Sequence, residues 1–185
     1  MRLFIATPLT ARVKEILAEC NGRIRGIKWQ TEAQMHLTLR FLGETSDERL
    51  ADLKPRLEKI QQSAFSLHIK GSGIFPNMRS PRILWAGVEK TEPLRKLQKK
   101  VEKQCRAVGF EAEKRSFHPH ITLGRVNETA SARQVRAFIE GTKMNQLDLS
   151  MPVSAFCLYR SKLRKECAVH TVLETYQLQA EQNDQ

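Results

Sequence analysis

The amino-acid sequence predicts an α+β fold. Three observations carry that prediction: short apolar strands outnumber helical stretches, several strands follow one another across turns, and only three or four segments carry apolar residues at helical spacing. A strictly alternating parallel sheet would read differently. The chain has 185 residues, about 1.2 times a typical domain of roughly 150 residues, so one compact domain over residues 1–185 is expected. With 41% hydrophobic and 28% charged residues, the composition suits a packed core rather than a disordered tail. Outside glycine the longest apolar run is about five residues, against the roughly 20 that a membrane-spanning helix requires.

Leu3 to Thr7 reads as a short strand, and Pro8 to Cys20 as a helix with Leu9, Val13, Ile16 and Leu17 on one face, punctuated by Gly22. Ile27 to Trp29 and Met35 to Leu42 read as strands. Ser46 or Asp47 then caps a second helix with a stripe of Leu50, Leu53, Leu57 and Ile60, in which Pro55 is an awkward interior residue. Phe65 to Ile69 alternates as a strand does, Gly71 to Pro81 is rich in turn formers, and Ile83 to Val88 is a further apolar strand. A third helix fits Pro93 to Val108, with Leu94, Leu97, Val101 and Cys105 on one face and Gly109 as its stop. Phe117 to Val126 reads as a strand, Ser131 to Glu140 as a helix, and Leu147 to Leu149, Val153 to Tyr159 and Ala168 to Leu178 as strands. The last seven residues are polar and expected to fray.

Cys20, Cys105, Cys157 and Cys167 are widely spread with no Cys-x-x-Cys pair, which points to ordinary thiols in a reducing compartment rather than to a zinc site or a disulfide framework. The opening Met1 to Pro8 has one basic residue and a proline-ended apolar patch, not a signal-peptide pattern, so a cytoplasmic location is expected. Lys and Arg exceed Asp and Glu by 31 − 20 = 11 charges. Such an excess favours an anionic partner, nucleic acid or phosphate.

The most informative feature is a tetrapeptide that occurs twice, His36-Leu37-Thr38-Leu39 and His120-Ile121-Thr122-Leu123, each inside a strand. On a strand, His and Thr two residues apart share one face while their apolar neighbours take the other. With five His and eleven Thr in the chain, chance supplies about 0.3 His-x-Thr triplets at ordinary composition. Two matching copies suggest two related lobes whose polar faces meet across a cleft. A pair of imidazoles can hold one neutral and one protonated ring near neutrality, one base and one acid, which suits in-line displacement at phosphorus.

These motifs, within Met35-His36-Leu37-Thr38-Leu39-Arg40-Phe41-Leu42-Gly43-Glu44 and Phe117-His118-Pro119-His120-Ile121-Thr122-Leu123-Gly124-Arg125, resemble those of the two-histidine phosphoesterase superfamily. More narrowly, the chain resembles the RNA 2′,3′-cyclic phosphodiesterases, also called 2′-5′ RNA ligases. The likeness extends to Arg2-Leu3-Phe4-Ile5-Ala6, Gly73-Ile74-Phe75-Pro76 and Arg82-Ile83-Leu84-Trp85-Ala86-Gly87, and so to nearly the whole chain. The resemblance implies a bilobal fold of two pseudo-symmetric antiparallel sheet lobes, helices outside and a cleft between them. It implies His36 as proton donor to the leaving 3′ oxygen and His120 as acceptor from water, giving a 2′-phosphomonoester. Thr38, Thr122 and Arg125 would hold the phosphate and Phe41 would stack on a base, with no metal or other cofactor. The implied partner is RNA or a nucleotide ending in a 2′,3′-cyclic phosphate, handled by a monomer away from membranes. Run backwards, the same site would join a cyclic phosphate to a 5′-hydroxyl.

The residues alone leave several points open. The two His-x-Thr units are nearly equivalent, so acid and base are distinguished only by the resemblance. Counting in twos from each histidine puts Arg40 and Gly124 on the cleft face and Phe41 and Arg125 on the other, unless Gly124 marks a bulge that re-aims Arg125; Arg40 stays in reserve. The same site would also serve a small cyclic nucleotide or an ADP-ribose cyclic phosphate, or a non-catalytic RNA- or nucleotide-binding module. His118 and His120 have no carboxylate motif beside them to complete a zinc site. His68 and His170 lack a threonine two residues on and read as ordinary strand positions; Trp29, Trp85 and Phe75 are candidates to contact a base but, beside apolar runs, read as core. Ser161 follows the apolar Val153 to Tyr159 strand and is a candidate to reach the cleft, though its spacing does not demand it. Lys96, Lys99, Lys100 and Lys103, and the Arg160 to Lys165 cluster between two strands, are candidate tracks for an RNA backbone.

Overall fold

The computed structural model describes residues 1–141, 146–164 and 167–180. In chain order the elements are β1 (Arg2–Pro8), α1 (Ala11–Glu19), β2 (Ile27–Trp29), a 3-10 turn (Glu32–Gln34), β3 (His36–Glu44), α2 (Asp47–Glu58), β4 (Phe65–Asn77), β5 (Ser80–Val88), α3 (Glu92–Ala107), β6 (His120–Val126), α4 (Ala132–Glu140), β7 (Asp148–Val153), β8 (Ala155–Leu163) and β9 (Ala168–Gln177). The strands form one antiparallel path, β7-β4-β5-β6-β3-β1-β8-β9, with β2 paired to β6. Two four-stranded halves are thus joined where β3 meets β6. That seam is narrow: the register is a single pair, Leu37 opposite Ile121.

The helices follow from their ends and stripes. The Thr10 hydroxyl accepts from the Val13 amide at 3.4 Å and that of Ser46 from Arg49 at 3.3 Å, each covering a donor that the first helical turn leaves unpaired. Pro55 sits inside α2; both it and Ala51, whose carbonyl loses its partner there, are exposed to solvent. In α3, Leu94, Leu97, Val101 and Cys105 are fully buried, and the chain leaves the helix at Gly109 with φ +85°. The α2 and α3 stripes pack with Leu3, Ile5, Leu37, Leu67, Ile69, Ile121 and Leu158 in one core, and α4 closes a smaller core of Leu84, Val126, Val135 and Ile139. The helices therefore cover one face of the sheet and leave the other, the inner face, free.

Three stretches differ from the sequence reading. Residues 71–77, read as turn, continue β4 up to a turn at Asn77 to Ser80. Composition misled because a glycine is needed there for packing: a Cβ on Gly73 would lie 2.2 Å from the Trp85 ring. β6 begins at His120 rather than Phe117. At the C-terminus Gln179 is tied to Gln62 and Ala64 by backbone hydrogen bonds of 2.9 and 2.7 Å; residues 181–185, also expected to fray, lie outside the described residues.

Candidate active site

Antiparallel pairing of Leu37 with Ile121 sets His36 opposite Thr122 and Thr38 opposite His120. The four polar side chains therefore share the inner face, while Leu37 and Ile121 are both fully buried on the other. In such a ladder the two histidines are diagonal neighbours, about 7–8 Å apart. That spacing leaves room for one tetrahedral group between the rings.

Both strands then depart from simple alternation in the same way. Thr38 pairs with Ala6 but Arg40 with Ile5, so Leu39 is an extra residue; Thr122 pairs with Trp85 but Gly124 with Leu84, so Leu123 is an extra residue. A bulge moves every later side chain to the opposite face. Phe41 and Arg125, each five residues after its histidine, are thereby turned onto the inner face, where Phe41 pairs with Phe4 and is 54% exposed. Arg40, held in reserve for the cleft, goes the other way. It is 9% exposed, pairs with Glu102 at 2.9 Å and Glu113 at 3.1 Å, and donates to the Glu111 carbonyl. Gly124 sits beside the bulge because β2 runs close by: a Cβ there would lie 2.8 Å from Ile27 and 3.2 Å from Trp29.

The two imidazoles are anchored alike. His120 Nδ1 lies 2.7 Å from the His118 carbonyl and must donate to it, which leaves Nε2 as the nitrogen free to exchange a proton. His36 has a hydrogen bond to the Gln34 backbone that favours its charged form, so the ring donates there. Gln34 is itself fixed, donating to the Ala168 carbonyl at 2.8 Å and accepting from the Thr31 amide at 3.0 Å. Burial, then the neighbouring His170, pushes His36 down to about 4, and repulsion from His120 adds to this. His120 is also lowered, by burial and the charge of His118, against the pull of the His118 carbonyl.

Aromatic rings line both walls. Phe4 stacks under His36 at 4.6 Å and on Tyr159 at 4.9 Å, while Phe75 and Trp85 stand around His120 at 4.9 and 6.3 Å. Trp85 and Phe75 are thus site walls rather than core, whereas Trp29 packs in the core as expected. His170, read as an ordinary strand position, is 5.3 Å from His36. His68 is such a position, hydrogen-bonded to Ser150 at 2.9 Å. Register pairs Ser161 with His170. The α3 lysines lie on the helix layer, away from the inner face, and Lys100 bonds to Gln61 and Gln62. Of the Arg160 to Lys165 cluster, Lys165 lies outside the described residues. Among the described residues no three His, Cys, Asp or Glu side chains are grouped so as to hold a metal ion.

The family model of the 2′-5′ RNA ligase superfamily matches residues 9–165. The chain belongs to that superfamily. Among curated relatives, the RNA 2′,3′-cyclic phosphodiesterase of Thermus thermophilus is 36% identical, covering 98% of this chain and 92% of its own, and that of Thermotoga maritima 34% identical, covering 94% and 93%. The E. coli LigT structure with 3′-AMP superposes with a TM-score of 0.78 at 29% identity, covering 96% of this chain and 97% of that one. A crystal structure from Thermus thermophilus matches at 0.78 and 31%, covering 98% and 100%. Membership of the superfamily accounts for the doubled motif and the α+β fold. No spacing rule in the sequence flagged Phe4, Tyr159 or His170, because each comes to His36 from another strand. Phe75 and Trp85 could have been found from their alternation with core residues on β4 and β5.

Proposed function

We propose that the protein is an RNA 2′,3′-cyclic phosphodiesterase that opens a terminal cyclic phosphate to a 2′-phosphomonoester by acid-base catalysis between His36 and His120. The observation that carries this reading is the Leu37 to Ile121 pairing, which sets two His-Thr pairs on one face around a common centre. Water attacks phosphorus opposite the 3′ oxygen. His120 Nε2 takes the water's proton as the new P–O bond forms, and His36 delivers a proton to the 3′ oxygen as its bond breaks. The Thr38 and Thr122 hydroxyls donate to the non-bridging oxygens, Arg125 balances their charge, and Phe41 offers a face to the base. The assignment of direction follows the family likeness alone; burial lowers both rings and so does not distinguish donor from acceptor. No metal takes part in this scheme.

Every group in it comes from one chain, which supports a monomer as the working unit. Cys105 and Cys157 are buried free thiols, in keeping with a reducing cytoplasm. Because the steps are reversible, a 5′-hydroxyl in place of water would form a 2′-5′ bond. The test is an RNA oligonucleotide ending in a 2′,3′-cyclic phosphate, incubated with protein and chelator. Wild-type protein should yield the 2′-monoester, and His36→Ala or His120→Ala should each lose about 10²–10⁴-fold, or roughly 3–5 kcal/mol of barrier. Undiminished turnover in either variant removes that histidine from the scheme, and dependence on added metal removes the scheme itself. E. coli LigT has been solved with 3′-AMP, which favours a second reading with small cyclic nucleotides as substrates. Contacts to several RNA phosphates would make affinity fall steeply with salt, and one phosphate would not.

A further inference from the structure

Beyond the residues given roles above, a further imidazole stands beside His36. His170 stands edge-on to His36 at 5.3 Å and to Phe4 at 5.0 Å. It arrives there because the β3-β1-β8-β9 half curls on itself, so that Gln34, two residues before His36, bonds to Ala168, two residues before His170. Its anchoring differs from that of the other two rings. Where His36 and His120 each hold a backbone acceptor, the Nδ1 of His170 is buried with no hydrogen-bond partner among the described residues. A buried polar atom left unpaired calls for a reason.

Around it stand His36 on β3 and its register partner Ser161 on β8, with the charge of Arg125 on β6 felt at the ring and Lys14 of α1 acting on His36. No carboxylate is ion-paired with it among the described residues. We propose that His170 is a third imidazole of the binding site, contacting the anionic phosphate of the substrate and of the 2′-phosphomonoester product from the His36 side. This rests on the phosphodiesterase reading above. His36, His120, His170 and Arg125 then surround one phosphorus, an excess of donors that an anion completes.

Burial and Arg125 push His170 below the ordinary histidine range, favouring the neutral ring. A bound phosphate opposes both, so the ring gains a proton as the ligand enters and yields it as the ligand leaves. Affinity for a phosphomonoester therefore rises as pH falls. Titration calorimetry with adenosine 2′-monophosphate, in two buffers of different ionisation heat near pH 7, counts the protons taken up. His170→Gln and His170→Phe should each take up fewer, by as much as about one proton, and should bind roughly tenfold more weakly than wild type near pH 5.5 but comparably near pH 8. Wild-type proton uptake and wild-type pH dependence in either folded variant overturn the proposal. Wild-type protein that binds the monoester without hydrolysing the cyclic precursor overturns the phosphodiesterase reading, and the proton count still decides His170. Wild-type protein that binds nothing overturns both.

Discussion

Arg40 and Arg125 each lie close behind a His-x-Thr motif, yet the bulges give them opposite work. Arg40 is tied into the core by Glu102 and Glu113. Replacing it by Met strands two carboxylates, so denaturant unfolding should show a loss of about 3–5 kcal/mol, with near-normal turnover per folded molecule. Arg125 is exposed and lies on the inner face, beside the proposed phosphate site. Arg125→Ala should leave stability within about 0.5 kcal/mol and lower kcat/KM by about 10²–10³-fold. The two rings proposed to carry catalysis also set a pH dependence. With His36 pushed down to about 4 and His120 lowered as well, the free protein carries the required combination of one charged and one neutral ring mainly below the ordinary histidine range. The kcat/KM profile should be a bell belonging to the pair, with its maximum below about pH 6.5, measured from about pH 4 to 9. A plateau running through neutral and alkaline pH would contradict it. At this scale His36, Thr38, His120 and Thr122 were legible because duplication is rare by chance. His170 was not, since nothing in its own neighbourhood on β9 records what lies across the curl.

The elements explain why alternation alone misjudged the face of Phe41 and Arg125. Counting in twos is sound up to each threonine and fails one residue later, where Leu39 and Leu123 are inserted. Gly124 hinted at the second bulge; β3 has no comparable marker, and only its likeness to β6 could have exposed the first. The same logic accounts for residues 71–77, where glycine reads as turn but lies beneath a tryptophan ring. Helices were easier, because their stripes and caps are local. The seam between β3 and β6 is the element on which the site depends most. Leu37 is fully buried at its single pair, so Leu37→Ala should cost about 2–5 kcal/mol in chemical denaturation. Protein that remains folded should turn over more slowly, because the histidines flank this pair. A stable variant of normal activity would mean that the seam does not position them.

Across the whole molecule, the strand order sets four strands on each side of the Leu37 to Ile121 pair, with one His-Thr pair on the innermost strand of each half. What breaks the symmetry is the position five residues beyond each histidine, an aromatic ring in one half and a guanidinium in the other. A substrate with a flat base at one end and an anion at the other would be held in one orientation by that difference. The net charge of +11 adds a long-range attraction for such a ligand without choosing its orientation. The central claim is that both imidazoles serve one phosphorus. NMR of ring-labelled histidines, titrated with adenosine 2′-monophosphate, tests it directly. The account predicts that the His36 and His120 ring signals shift together along one binding curve that saturates at one equivalent. Separate curves, or a response from one ring alone, would contradict it.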